Sequence, residues 1–199
     1  PNIDDMGTLG IVDFRYEIPA YNLKPEHADN FELGYKYQSE QISFTSSIFH
    51  SNLTNLITRV KVEGEEIDGY PVFIKENVES ASIKGFEFEI DGKINNALKY
   101  FANLAYTYGQ NLSKNEPLRR TPPTFGRIGM EFSKSNFFFR PELQFAGAQK
   151  RLSAGDISDN RIDPNGTPGW HILNIFSSYN WKSISLNLAL QNLGNADYR

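Results

Sequence analysis

Apolar and polar side chains alternate with a period of two along most of this chain, a pattern typical of strands with one oily and one wet face. In the segment from 98 to 111, one row is made of Tyr100, Ala102, Leu104, Tyr106 and Tyr108. The intervening row is small or polar, apart from Phe101. The pattern therefore predicts an all-β protein and indicates no helix of substantial length.

The alternation recurs in enough segments to predict about eight strands. We place them at residues 29–38, 42–60, 70–91, 98–111, 123–134, 137–150, 169–182 and 184–193. Charged residues obey the same rule, since Glu87 and Glu89 flank Phe88. Two residues break the pattern, because Phe138 falls on a polar row and Pro141 on an oily one. Proline lacks the backbone donor that a ladder needs, so Pro141 predicts a bulge or a locally interrupted ladder.

The predicted connections alternate between short and long. Residues 39–41, 92–97, 135–136 and 183 form the short ones. Residues 61–69, 112–122 and 151–168 form the long ones, and residues 1–28 are a long lead-in. Outer-membrane barrels combine short periplasmic turns with long extracellular loops. This favours an antiparallel meander in a transmembrane β-barrel, with a soluble antiparallel sheet protein as the alternative.

The direction of the strands predicts that the chain is part of a larger barrel. If the long loops lie outside the cell, the first strand runs inward and the eighth runs outward, which puts both chain ends on the outer side. We therefore expect residues 1–199 to form a single partial barrel domain with at least one further strand after it. Residues 1–28 are its extracellular lead-in, 29–193 its up-and-down strands, and 194–199 the start of its last extracellular loop.

Composition excludes several classes of protein and site. The 199 residues include no cysteine, which rules out disulfides and thiolate metal ligands. The formal charge of −4 without a basic stretch argues against a nucleic-acid partner. His27, His50 and His171 share no metal-ligand spacing, and no phosphate loop or nucleophile motif is present. We predict no catalytic residue, no enzyme activity, no cofactor and no metal.

The segment from 151 to 168 is rich in side chains that carry oxygen. It holds Asp156, Asp159, Asn160, Asp163 and Asn165. Such oxygens can bind calcium, although the spacing is not that of an EF-hand. The alternative is that they form local turns and salt links to arginines in the same segment.

Arginines offer the other candidate chemistry, because guanidinium pairs well with carboxylate or phosphate. Candidates at the loops or on the polar face are Arg119, Arg120, Arg127, Arg140, Arg151 and Arg161. They either meet an anionic ligand or pair with Glu87, Glu89, Glu131, Glu142 and the loop aspartates. The predicted ligand-binding residues are Arg119, Arg120, Arg151, Asp156, Asp159 and Arg161.

Five short motifs occur in a fixed order between residues 23 and 199. They are LKPE at 23–26 with NFELG at 30–34, NVESASIKGFE at 77–87, PLRRTPP at 117–123, the loop from 151 to Trp170, and QNL at 191–193 with Asn195 and YR at 198–199. The ordered set resembles the carboxy-terminal part of the barrel of TonB-dependent outer-membrane receptors.

The resemblance implies a plugged barrel of about 22 strands in the outer membrane of a Gram-negative bacterium. It implies import of a scarce nutrient, such as an iron-siderophore complex, haem, cobalamin or a glycan, with iron chelates foremost. Implied partners are outer-membrane lipid, TonB, an upstream plug domain and the small nutrient ligand. Two other functions remain open at this point, a passive diffusion channel and a structural or adhesive surface barrel.

Overall fold

The computed structural model describes residues 1–198, which contribute 11 strands to a single sheet. The strands are β1 Gly10–Val12, β2 Arg15–Ile18, β3 His27–Gln38, β4 Ile42–Ile67, β5 Tyr70–Lys93, β6 Leu98–Asn111, β7 Glu116–Pro117, β8 Phe125–Lys134, β9 Phe137–Ala146, β10 Trp170–Trp181 and β11 Ile184–Leu190. Two short helices, α1 Ile3–Gly7 and α2 Ala154–Ile157, complete the elements. All eight predicted strands are present, as β3 to β6 and β8 to β11.

The chain divides into two compact units. The first contains residues 1–31, 50–83 and 109–118, and the second contains residues 32–49, 84–108 and 119 onward. In the second unit, β6, β8, β9, β10 and β11 pair antiparallel in chain order. This order confirms the predicted meander.

The lead-in is more structured than predicted. Residues 1–28 contain α1, the hairpin of β1 and β2, and the first residues of β3. A capping box between Asn2 and Asp5 begins α1 and satisfies its first backbone donors. β2 pairs with β5 in parallel, with Tyr16 opposite Val72, so the sheet is not wholly antiparallel.

The predicted long loop at 61–69 is wrong. β4 continues to Ile67 and β5 begins at Tyr70, which leaves only Asp68 and Gly69 between them. Both residues have positive φ, 54° and 80°, as the two central residues of a type I′ hairpin turn require. Asp-Gly favours this turn, so the flanking residues are free to lengthen both strands.

The other two long connections are present, with shifted ends. β8 begins at Phe125 and β9 ends at Ala146, so the connections cover residues 112–124 and 147–169. Pro123 and Pro168 lie just before β8 and β10, where the lost backbone donor breaks no ladder bond.

Pro141 interrupts a ladder without shifting its register. On the β8 side, the pairs Gly129–Glu142 and Phe132–Phe139 keep the same register across the gap. On the β10 side, Pro141 still lies opposite Ile175. Of the two predicted outcomes, the interrupted ladder is therefore correct.

The second unit exposes its apolar rows and buries parts of its polar ones. Ile128 and Leu173 on the oily rows of β8 and β10 are 53% and 41% exposed, whereas Glu142 and Asn174 on the polar rows of β9 and β10 are each 3% exposed. In a water-soluble sheet protein the large apolar rows would be covered. The oily face thus has the exposure that suits contact with lipid.

Phe101 lies on the polar face because it covers a glycine. It stands opposite Gly129, and a Cβ added there would collide with the Phe101 ring. The guanidinium carbons of Arg140 and Arg127 lie 4.4 and 5.5 Å from the centre of the same ring. Phe101 therefore fills a gap on the polar side and supports two cations.

Candidate ligand-binding site

The predicted ligand-binding residues lie on the two long connections of the second unit. Arg119 and Arg120 belong to the 112–124 connection, and the other four belong to the 147–169 connection. The structure brings five of the six into one group, Arg119, Arg120, Asp156, Asp159 and Arg161, called the ion cluster below.

Asp156 is the buried member of the ion cluster. Its Oδ2 accepts hydrogen bonds from the backbone N and the hydroxyl of Ser153, at 3.1 and 3.0 Å, in the capping box that begins α2. The Arg120 backbone N donates to its Oδ1 at 3.3 Å, and Arg119 Nε lies 3.6 Å from the same atom. Its side chain is only 3% exposed, so these contacts replace its water. Asp156 therefore orders the start of α2 and attaches the 112–124 connection to this helix.

Asp159 is the centre of the ion cluster. Its Oδ2 accepts hydrogen bonds from Nη2 of Arg119 and Arg161, both at 2.7 Å, and from Nη2 of Arg120 at 3.4 Å. Arg161 also donates Nε to Oδ1 at 2.8 Å. Hydrogen bonds from Arg161 hold the pKa of Asp159 well below its ordinary value, and Asp159 in turn raises the pKa of Arg161. Asp159 and Arg161 therefore both remain charged around neutral pH.

These contacts decide between the alternatives for the loop oxygens. Asp156 and Asp159 are engaged by Ser153 and by arginines. Asp163 accepts the backbone N–H of Asn165 at 2.9 Å, which is a local turn. Local turns and salt links are therefore what the structure shows. Within residues 1–198, no group of three or more His, Cys, Asp or Glu is placed to hold a metal ion.

The ion cluster has more positive than negative groups. Arg119, Arg120 and Arg161 surround Asp156 and Asp159, and the outer cations remain accessible, since Arg120 and Arg161 are 60% and 72% exposed. Exposed guanidinium N–H groups can therefore meet an anion from solvent while Asp159 keeps them in position.

A cavity of about 230 Å³ lies beside the ion cluster and includes Arg120, Arg151, Asp156 and Trp170 in its lining. It is smaller than most ligand pockets, which span roughly 300–1,000 Å³, so it suits one ring or acidic group of a larger ligand.

Gln149 holds the long connections in place, a role that no sequence signal predicted. Its Nε2 donates to the Thr121 carbonyl at 2.8 Å, and its Oε1 accepts the Arg151 backbone N at 2.9 Å. Its backbone pairs with Thr167 in an isolated bridge. Gly166 has φ +88° and a Cβ there would collide with the Gln149 carbonyl, so glycine is required at this crossing.

Arg151 makes a different contact from the other five residues. Its guanidinium carbon lies 3.7 Å from the centre of the Tyr108 ring, on β6.

The polar-face charges form pairs, as the alternative for them predicted. Arg140 donates to Glu142 at 2.8 Å and lies 3.6 Å from Glu131, and Arg127 lies 3.9 Å from Glu142. Glu87 and Glu89 instead line an open concavity of about 520 Å³ on the polar face, together with Glu32, Lys36 and Asn103.

The histidines show no shared site in the structure. His50 Nε2 lies 2.9 Å from the Ser82 hydroxyl, while His27 and His171 are exposed on β3 and β10. In residues 1–198, neither helix has the length and apolar character to cross a membrane.

Comparison with solved structures shows the same fold in proteins described as transporters or receptors. The chain aligns with a structure of the copper transporter OprC at a TM-score of 0.72, with 22% identity over 89% of this chain and 27% of that one. It aligns with the FrpB iron transporter from Neisseria meningitidis at 0.70, with 14% identity, covering 92% and 29%. A mutant of the ferric enterobactin receptor PfeA from Pseudomonas aeruginosa gives 0.71, with 21% identity, covering 97% and 29%.

The chain thus spans less than a third of the length of these structures. A search of curated protein sequences finds no match. The family model described as "TonB dependent receptor-like, beta-barrel" matches residues 1–193, nearly the whole chain. With the antiparallel meander and the exposed oily face, this match shows that the chain belongs to the TonB-dependent receptor β-barrel family.

Proposed function

We propose that this chain is part of the barrel of a Gram-negative outer-membrane receptor that imports a scarce nutrient with energy supplied through TonB. Outer-membrane lipid would surround the barrel, and a plug domain elsewhere in the protein would close its lumen. Binding and gating would be its whole chemistry, since no bond is made or broken in such import.

One observation carries the membrane part of this proposal. The oily rows of β8 and β10 carry exposed side chains, Ile128, Met130, Leu173 and Tyr179, while ion pairs and buried amides lie on the opposite face. Water would penalise such a surface strongly, whereas a bilayer would favour it. Family membership supports the coupling to TonB.

The nutrient we propose is an anionic metal chelate. The structures similar to this chain are described as copper, iron and ferric enterobactin transporters or receptors. Of the ion cluster, Arg120 and Arg161 are the most exposed guanidinium groups, and Asp159 orients them. Anionic oxygens of a chelate would accept hydrogen bonds from the exposed N–H groups of these two guanidiniums. Arg151 is not part of this proposed contact, because it does not belong to the ion cluster and lies over the Tyr108 ring of β6.

The test uses the full-length gene, deleted from its host and returned as wild type or variant. Growth is measured with iron supplied only as a ferric catecholate, a ferric hydroxamate or a ferric citrate complex. Each iron source is tested in strains with TonB present and with TonB deleted. The proposal expects deletion to abolish growth on at least one chelate, in a TonB-dependent way. Unchanged growth on every chelate and on other scarce nutrients would contradict it.

A double variant tests the ion cluster. Arg120→Gln with Arg161→Gln should weaken binding of the imported anionic chelate about tenfold, as expected for lost charged hydrogen bonds. Lys150→Gln is the matched control, an exposed cation of the same connection outside the ion cluster. If the control and the double variant bind the chelate equally well, the ion cluster is not the ligand contact.

A further inference from the structure

Two cationic side chains lie over the ring of Tyr108. Lys84 Nζ lies 5.2 Å from the centre of its ring, and the Arg151 guanidinium carbon lies 3.7 Å from it. Both distances are within the range of cation–π attraction, which orders long basic side chains on an aromatic face. One tyrosine thus gathers an ammonium and a guanidinium that come from β5 and from the 147–169 connection.

Two of these side chains, Lys84 and Tyr108, lie at the end of the oily face. Lys84 continues the row of β5 that holds Phe86 and Phe88, and Tyr108 continues the row of β6 that holds Tyr106. Tyr108 is also close to the end of β6 at Asn111, after which the long 112–124 connection begins. The two cations therefore lie where the apolar surface gives way to the long connections.

Lys84 has no acidic partner to neutralise it. It is exposed, and across residues 1–198 it takes part in no ion pair. The arginines of the ion cluster differ, because each of them contacts Asp159. A lysine without an acidic partner on an oily row raises the local positive potential, which an anion from outside the chain would lower.

We propose that Lys84 and Arg151 bind the phosphate of a lipid headgroup in the outer leaflet, with Tyr108 holding the two cations in position. Ammonium and guanidinium groups both recognise phosphate, and the guanidinium does so through two parallel donors. A lipid is the expected source because the site continues an oily surface, so acyl chains would cover Phe86 and Phe88 while the phosphate meets the cations. This inference rests on the proposed outer-membrane placement.

The test uses the full-length protein purified in detergent and measures bound lipid by native mass spectrometry. The probes are diphosphoryl lipid A, the same lipid A with its phosphates removed, and inorganic phosphate as a competitor. Lys84→Gln combined with Arg151→Gln should lower the retained diphosphoryl lipid A about tenfold, as loss of two charged phosphate contacts predicts. Lys182→Gln is the matched control, since Lys182 also lies over an aromatic ring, 5.4 Å from that of Trp181, but next to a short turn.

Three results would overturn the proposal. In the first, the double variant retains as much diphosphoryl lipid A as the wild type. In the second, the wild type retains dephosphorylated lipid A as well as diphosphoryl lipid A. In the third, millimolar inorganic phosphate displaces the bound lipid completely. Heat-modifiable gel mobility of each variant shows that its barrel has folded, so lost lipid binding is separated from misfolding. If the wild-type protein failed to insert into lipid vesicles, the proposed outer-membrane function would fail instead.

Discussion

Arg119 and Asp159 join the two long connections of the second unit through a hydrogen bond of 2.7 Å from Nη2 to Oδ2, although they are 40 residues apart in sequence. The same carboxylate binds Arg120 and Arg161, so one acidic side chain organises three cations. Removing that carboxylate leaves three like charges together, which destabilises their arrangement.

Asp159→Asn should therefore loosen both connections. Trypsin cuts after arginine in mobile chain, so cleavage after Arg119, Arg120 and Arg161 in the full-length protein should become several-fold faster, because these residues lose their shared partner. The control is Asp163→Asn, since Asp163 accepts only from Asn165 nearby. Equal cleavage rates in both variants would show that Asp159 does not fasten these connections.

Acid should release the ion cluster only at low pH. The pKa of Asp159 is lowered from an ordinary value of 3.8, chiefly by hydrogen bonds from Arg161. A carboxylate with a lowered folded pKa stabilises the fold fully above its unfolded pKa, and the stabilisation is lost as pH falls through the folded value. The contacts should thus persist from neutral pH to well below pH 4 and be lost only as pH falls through the lowered pKa of Asp159. Carbon-13 NMR of the Asp159 carboxyl checks this, and a midpoint at or above 3.8 would contradict it.

Gly129→Ala should destabilise the barrel by about 1–3 kcal/mol, as expected for overpacking. An added Cβ would collide with the Phe101 ring and lie 2.8 Å from the Pro141 carbonyl oxygen, and a strand backbone cannot readily give way. Gly34→Ala is the control, because its Cβ would have only Ser46 O nearby, at 3.9 Å. Urea unfolding of the full-length protein in lipid vesicles measures both, and the prediction fails if the two variants unfold at the same urea concentration.

Charge on the two faces of β11 should have unequal effects. Leu188 shares the oily face with Ser177 opposite it, and Asn187 shares the polar face with Ser178. Leu188→Arg should cost about 2 kcal/mol or more of folding stability in a bilayer, the value expected for a buried lipid-facing cation. Asn187→Arg should cost little folding stability, because the polar face of β11 is hydrated. Equal costs, measured by unfolding from vesicles, would show that β11 does not face lipid.

Several strand ends could not be read from alternation because turn chemistry decides them. Residues 61–67 hold four charged residues and a glycine, a composition that also suits a loop, and the type I′ turn at Asp68-Gly69 extends the hairpin through them. The strands of the lead-in, β1 and β2, are too short to show a clear alternation in sequence. β2 is held in the sheet by its pairing with β1 and β5. Short strands depend on their partners more than on their own sequence.

The sequence indicated charged residues in the long connections but not the contacts between them. Arginine and aspartate in the long connections indicated charge chemistry, yet only folding selects Asp159 as the shared partner and moves Arg151 onto Tyr108. Gln149 gave no sequence signal, because a glutamine that links backbone atoms of three segments resembles any polar loop residue.

By itself, the sequence determined the strand period, the two faces of the sheet, the meander and the membership of a receptor family. These follow from local rules, because neighbouring side chains on a strand point to opposite faces whatever the partner strand is. Only the tertiary structure decided which cation meets which carboxylate, why Phe101 faces the polar side, and where two cations meet on one tyrosine. Such contacts join residues distant in sequence, and their geometry depends on register and loop path, which periodicity does not encode.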